Sequence, residues 1–86
     1  MHRTTARFWT HFDHLPEPVQ RVARQNFELL KVNPAHPSLH FKKVGKLWSA
    51  RVGLNHRALA VEDGADFFWV WIGPHDEYQR LIKQQG

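Results

Sequence analysis

The apolar residues of this chain change their period once, near residue 40. Before that point they recur at helical spacing. In "TTARFWTHFDHLP", Phe8, Trp9, Phe12 and Leu15 fall on one side of a helix, and Thr4 or Thr5 is placed to cap it. A strand would gather Ala6, Phe8, Thr10 and Phe12 but leave Trp9 on the wrong face, so the pattern favours a short helix. "PEPVQRVARQNFELLKVNP" then sets Val19, Val22, Ala23, Phe27 and Leu30 on one stripe, with prolines at its start and Asn33-Pro34 at its stop. The break at Leu15-Pro16 turns the two segments into a helical hairpin.

After the Pro-rich "NPAHPS" the period becomes two. "LHFKKV" reads as a short edge segment. "KLWSARVG" alternates Trp48, Ala50 and Val52 against Ser49, Arg51 and Gly53, and "HRALAV" follows a turn around Gly53-Leu54-Asn55. "EDG" at 62–64 marks a second turn. "DFFWVWIG" is apolar on both faces, as an interior strand is. Trp69 and Trp71 are expected to share one of those faces, packed in the core or, second, lining a partner groove. "HDEYQRLIKQQ" closes the chain as a helix with Tyr78, Leu81 and Ile82 inward. The pattern alone therefore predicts one domain over residues 1–86: a helix pair, a three-stranded antiparallel meander and a terminal helix. An 86-residue chain has a thin core.

The loop of the first hairpin decides what Arg51 and Arg57 do. If Gly53-Leu54-Asn55 is a three-residue loop, Arg51 lies opposite Arg57, and Ala50, Val52, Ala58 and Ala60 form a face of small residues under the helices. If only Leu54-Asn55 forms the loop, the arginines point to opposite faces and Leu59 and Val61 join Trp48, Ala50 and Val52. Both registers are open at this level. Like charges directly opposed across strands are destabilising, so the first register asks for a bound anion, and a phosphate held by two planar guanidinium forks answers it.

Composition narrows the classes. With no cysteine there is no disulfide framework and no thiolate metal site, which suits a reducing cytoplasm. No apolar run approaches the ~20 residues of a membrane span, and the start of the chain lacks a signal peptide's apolar core. A net charge of +4 favours phosphate-rich or acidic partners. His11, His14, His36 and His40 form no recognised ligand spacing, so neither metal nor cofactor is expected. Lys42, Lys43 and Lys46 cluster beside the sheet edge, where they block edge pairing or meet RNA phosphates.

"NPAHPSLHFKKV", "LWSARVG", "HRALAV" and "WIGPHDEYQRLI", in this order, resemble the RelE/ParE superfamily of bacterial type II toxins, and its small RelE-like members in particular. The resemblance spans nearly the whole chain. It implies an α+β fold, an N-terminal helical hairpin packed on a three- to four-stranded antiparallel sheet with a short C-terminal helix. Only Met1 to Arg3 precede the first helix, so the family's usual first strand is expected to be missing or vestigial.

The resemblance also implies a function. RelE-like members are ribosome-dependent endoribonucleases that cut messenger RNA in the decoding site; ParE-like members poison DNA gyrase and lack the catalytic set. Arg51 and Arg57 fall on the basic strand positions of the RNA-cutting members, and His75 and Tyr78 fall where those members place an acid and an aromatic. Ser49 stands where some of them carry a further basic residue. A cognate antitoxin, with an acidic or amphipathic segment, is the implied partner, together with ribosome and messenger RNA, or gyrase in the alternative. Metal-free RNA cleavage needs a base for the 2′-hydroxyl, charge stabilisation at phosphorus and a proton for the leaving 5′-oxygen. Histidine serves at either end, the arginines stabilise the developing charge, and Tyr78 stacks on a base, orients a phosphate or packs in the core. Asp76 and Glu77 are what the first turn of any helix wants.

Overall fold

The computed structural model describes residues 1–85. In chain order the elements are β1 (His2–Thr4), α1 (Ala6–Phe12), α2 (Glu17–Val32), a 3-10 turn (Pro37–Leu39), β2 (Lys42–Val44), β3 (Leu47–Val52), β4 (His56–Asp63), β5 (Asp66–Pro74) and α3 (His75–Gln85). The sheet order is β1-β5-β4-β3-β2. β2 to β5 form an antiparallel meander, and β1 lies parallel on the outer side of β5. The α+β class and the helical hairpin are as expected. The sheet has five strands rather than three or four.

The additional strand is β1, so the first strand is short but present: His2, Arg3 and Thr4 register with Phe67, Phe68 and Trp69. Three residues carry no readable period, and a parallel partner more than sixty positions away leaves no local turn signal. Its anchors are specific. The His2 ring stacks on Phe67 with centroids 5.0 Å apart. Trp69 Nε1 donates to His2 Nδ1 at 3.1 Å. Thr5 then serves twice: its hydroxyl donates to the Trp69 carbonyl at 2.8 Å and accepts from the Phe8 N–H at 3.2 Å, tying the sheet edge to the N-cap of α1.

The α1–α2 hairpin covers one face of the sheet. Phe8, Phe12, Leu15, Ala23 and Leu30 meet Ala50, Val52, Ala58, Ala60, Trp69 and Ile72 in a single cluster. The alanines let the helices approach closely. On the opposite face α3 packs Tyr78, Leu81 and Ile82 over Leu59 and Trp71. Trp69 and Trp71 thus lie on opposite faces, contrary to the two-residue alternation. The register between β4 and β5 shifts at Leu59/Ala60, pairing Leu59 with Trp71 and Ala60 with Trp69, so Val70 is an extra residue and the alternation flips across it. The β3–β4 loop is the three-residue one: Val52 pairs with His56, and Gly53 supplies a left-handed φ of 64° at its first position.

Candidate functional site

With that register, Arg51 lies directly opposite Arg57. Residues alternate faces along a strand, so both arginines share the α3 side with Ser49 and Leu59. Lys42 pairs with Ser49 and reaches the same side from the edge strand, whereas Lys43 pairs with Trp48 and points to the hairpin side. Lys46 sits in the β2–β3 turn. Of the three lysines, the fold brings only Lys42 to the arginines.

α3 covers only part of this face, and the uncovered part is a cleft of about 210 Å³. Its walls carry Lys42, Arg51, Arg57, His75, Tyr78 and Gln79. His75 is positioned by the abrupt passage from β5 into α3. Its backbone N–H donates to the Asn55 carbonyl at 2.8 Å, which pins the start of α3 to the β3–β4 loop. Its ring Nε2 lies 3.2 Å from Gln79 Nε2 one helical turn on. With the amide nitrogen donating, Nε2 is the acceptor and the ring proton sits on Nδ1. Asp76 acts locally, its Oδ1 accepting the Glu77 N–H at 3.1 Å.

Tyr78 is a core residue with a polar tip. It is 5% exposed, and its hydroxyl lies 3.1 Å from the hydroxyl of Ser49, itself 2% exposed. Ser49 is therefore the buried partner of Tyr78. The tyrosine ring lies 5.8 Å from that of His75, so one helix turn supplies both of these lining residues.

The electrostatics are one-sided. Arg51 Nε donates to the Gly53 carbonyl at 3.0 Å, and Arg57 Nη1 to the His56 carbonyl at 2.8 Å. Among the described residues, the ion pairs involve Arg3, Arg21, Lys31 and the terminal amine, and none involves Lys42, Arg51 or Arg57. Burial, and then the neighbouring Arg51 cation, lower the Arg57 pKa, while Tyr78 acts in the opposite direction. Arginine remains charged under such a shift, so the Arg57 guanidinium is a partly desolvated cation held beside a like charge.

Sequence reasoning missed one contributor. Asn26 of α2 donates from its side chain to the Arg51 carbonyl at 3.1 Å, beyond the point where β2 stops pairing with β3. An asparagine one turn after Val22, close to the inward stripe of an amphipathic helix, was the available signal. Among the described residues no three His, Asp or Glu side chains converge on a possible metal position.

No protein-family model and no curated protein matches the chain. Solved structures do. A RelB–RelE antitoxin–toxin complex from Methanococcus jannaschii superposes with a TM-score of 0.72 at 14% identity, over 92% of this chain and 96% of that one. The fold is that of the RelE toxins. The isolated E. coli RelE toxin matches over 98% of this chain and 96% of its own, with a TM-score of 0.62 at 10% identity. An archaeal RelE–RelB complex from Pyrococcus horikoshii OT3 gives 0.61 at 17% identity, over 85% of this chain and 91% of that one. The RelE-like fold thus accounts for nearly the full described length, with the basic cleft on its α3 side.

Proposed function

We propose that this chain is the toxin of a type II toxin–antitoxin pair and that it cuts messenger RNA on the ribosome, without a metal ion. The carrying observation is the opposed Arg51–Arg57 pair, joined by Lys42 and, among the described residues, lacking a carboxylate partner, in a cleft also lined by His75. A phosphodiester seated between the guanidiniums relieves their repulsion and receives bidentate hydrogen bonds. The 2′-oxygen attacks phosphorus as its proton passes to a base. The bond to the 5′-oxygen breaks, and that oxygen takes a proton from an acid, leaving a cyclic phosphate and a 5′-hydroxyl. Charge gathers on the phosphoryl oxygens in between, where preorganised cations contribute most. Two histidines line the cleft, His40 and His75, and His75 is the one at the start of α3. Protonated on both nitrogens, with the Gln79 amide turned to accept from Nε2, the ring gives its Nδ1 proton to the leaving oxygen and is left neutral.

Lys43 and Lys46 lie outside the cleft and act through longer-range attraction to ribosomal RNA. The antitoxin's acidic or amphipathic segment would cover the basic face; two of the similar structures are complexes of this kind. Action on ribosomes would place the protein in the cytoplasm. A second reading, a non-catalytic toxin of the gyrase-binding type or an inactive relative, draws support from one contact. The Tyr78 hydroxyl is held by buried Ser49.

Cleavage of messenger RNA on purified programmed ribosomes tests the two readings. Arg57→Ala and His75→Ala are each expected to lower the rate by about 10²–10³ while the thermal midpoint stays unchanged. A wild type that cuts nothing, with or without ribosomes, supports the second reading, and gyrase binding is then measured.

A further inference from the structure

A second cleft, of about 330 Å³, opens where the end of α1 meets the junction of β5 and α3. We propose that it is a nucleobase site, holding the base of an RNA nucleotide next to the phosphate in the basic cleft. The proposal takes its placement from the reading of that basic cleft as a phosphate seat.

The walls are chosen for a flat, neutral, hydrogen-bonding ring. His11, His56 and Trp71 line the cleft, and the His11 and Trp71 ring centroids lie 6.3 Å apart at 58°. The Trp71 ring rests against Gly73, where an added Cβ would come within 2.5 Å of it, so this wall exists because residue 73 has no side chain. Among the described residues, neither the His11 nor the His56 ring has a hydrogen-bond partner, whereas His14 is committed to the Thr10 carbonyl at 2.7 Å. Burial lowers the His56 pKa, so near neutral pH its ring is uncharged and offers one donor and one acceptor, as a base edge requires. Among the described residues no lysine or arginine lines the cleft, and Glu77 is its one carboxylate. Its chemistry therefore suits a base and does not suit a phosphate.

Location ties the two clefts together. His56 and Arg57 are consecutive on β4 and point to opposite faces, one into each cleft. Pro74 and His75 divide between the clefts in the same way. The chain segments that carry these residues are tied to each other by the His75 N–H, which donates to the Asn55 carbonyl at 2.8 Å. A nucleotide strand passing from one cleft to the other would leave its phosphate among the arginines and its base beside the His11 and His56 rings, which supply the edge contacts by which proteins read unpaired RNA, with the 6% exposed Trp71 backing that wall.

The test is an NMR titration of the whole protein with inorganic phosphate, with adenosine and cytidine, and with a 2′-O-methyl dinucleotide that cannot undergo internal attack. Nucleosides are expected to shift the ring signals of His11 and His56 and the indole of Trp71, while phosphate shifts the side chains of Arg51 and Arg57. The dinucleotide should move both sets and bind about tenfold more tightly than phosphate. His11→Ala, on the outer helix, should lose that tenfold with phosphate affinity kept, and His56→Ala should agree. Nucleosides that leave the rings unmoved, with a dinucleotide no tighter than phosphate, overturn the base site and leave the phosphate reading standing. Nucleosides that shift the histidines while phosphate leaves the arginines unmoved support the base site and overturn the basic cleft's role. Silence from every probe overturns both.

Discussion

The two faces of the sheet are built from alternate residues of the same strands. On the hairpin side, Ala50, Val52, Ala58, Ala60 and Ile72 are sealed under two helices in one continuous apolar cluster. On the α3 side, Leu59 and Trp71 are covered by one 11-residue helix, and the positions beyond its reach are Arg51, Arg57 and Lys42. A thin domain cannot cover both faces of five strands. Here the uncovered area holds like charges that repel one another when no ligand is bound. Stability resides mainly on one side and the proposed chemistry on the other, separated by a single residue step along each strand.

That division is open to attack at several strengths. The largest effect is expected on the hairpin side. Leu30→Ala should cost about 2–5 kcal/mol in urea unfolding, because Leu30 is 3% exposed between helix and sheet. Arg57→Ala in the same assay should leave stability unchanged or slightly raised, since it removes a like-charge contact. Equal losses from the two changes would end the distinction between the faces.

A smaller effect is expected where the faces share a residue. Tyr78→Phe keeps the ring but strips Ser49 of its buried partner, at about 1 kcal/mol. If cleavage per folded molecule is unaltered, the hydroxyl belongs to the core. A drop of tenfold or more with normal stability would return it to the site.

The smallest effect is a pH dependence at the β1 edge. Burial, and then the terminal ammonium, hold the His2 pKa below its ordinary 6.5, and burial does the same for His56. The unfolded chain therefore takes up protons on these groups before the folded one does. The contribution of the neutral rings is complete above about pH 6.5 and is lost as pH falls toward the folded values. A protonated His2 Nδ1 also cannot accept from Trp69 Nε1. The thermal midpoint of the wild type should fall between pH 7 and 5, and His2→Phe should flatten part of that slope. Parallel curves would show that β1 does not sense pH.

What was legible in the sequence follows from what is local. The helices announced themselves through their stripes and through Pro16, Asn33 and Pro34, and the meander through its period and the turns at Gly53 and Gly64. Features set by a distant partner or by one irregular residue were hidden. β1 has no pattern of its own and exists because β5 offers an edge. The bulge at Val70 looks from the sequence like unbroken alternation, so Trp69 and Trp71 were assigned one face and occupy two. At the site, the opposition of Arg51 and Arg57 hung on one loop residue, Gly53, and both outcomes suited the apolar pattern. Lys42 and Lys43 are neighbours in sequence that the pleat sends to different faces. The Ser49–Tyr78 and Asn26–Arg51 contacts bridge separate elements and left only faint polar signals in otherwise apolar stripes.

The parallel pairing of β1 with β5 also sets an order in time. His2 and Trp69 are 67 positions apart, so the chain must be synthesised as far as β5 before the first strand has anywhere to dock. The α1–α2 hairpin waits with it, because the alanine face on which it rests belongs to β3 and β4. At roughly 5–20 residues per second of synthesis, an apolar helical surface is presented for seconds before its seat exists. The nascent chain is thus a client for whatever shields such surfaces. The strand that locks the sheet edge last should also be the first to exchange its amide hydrogens.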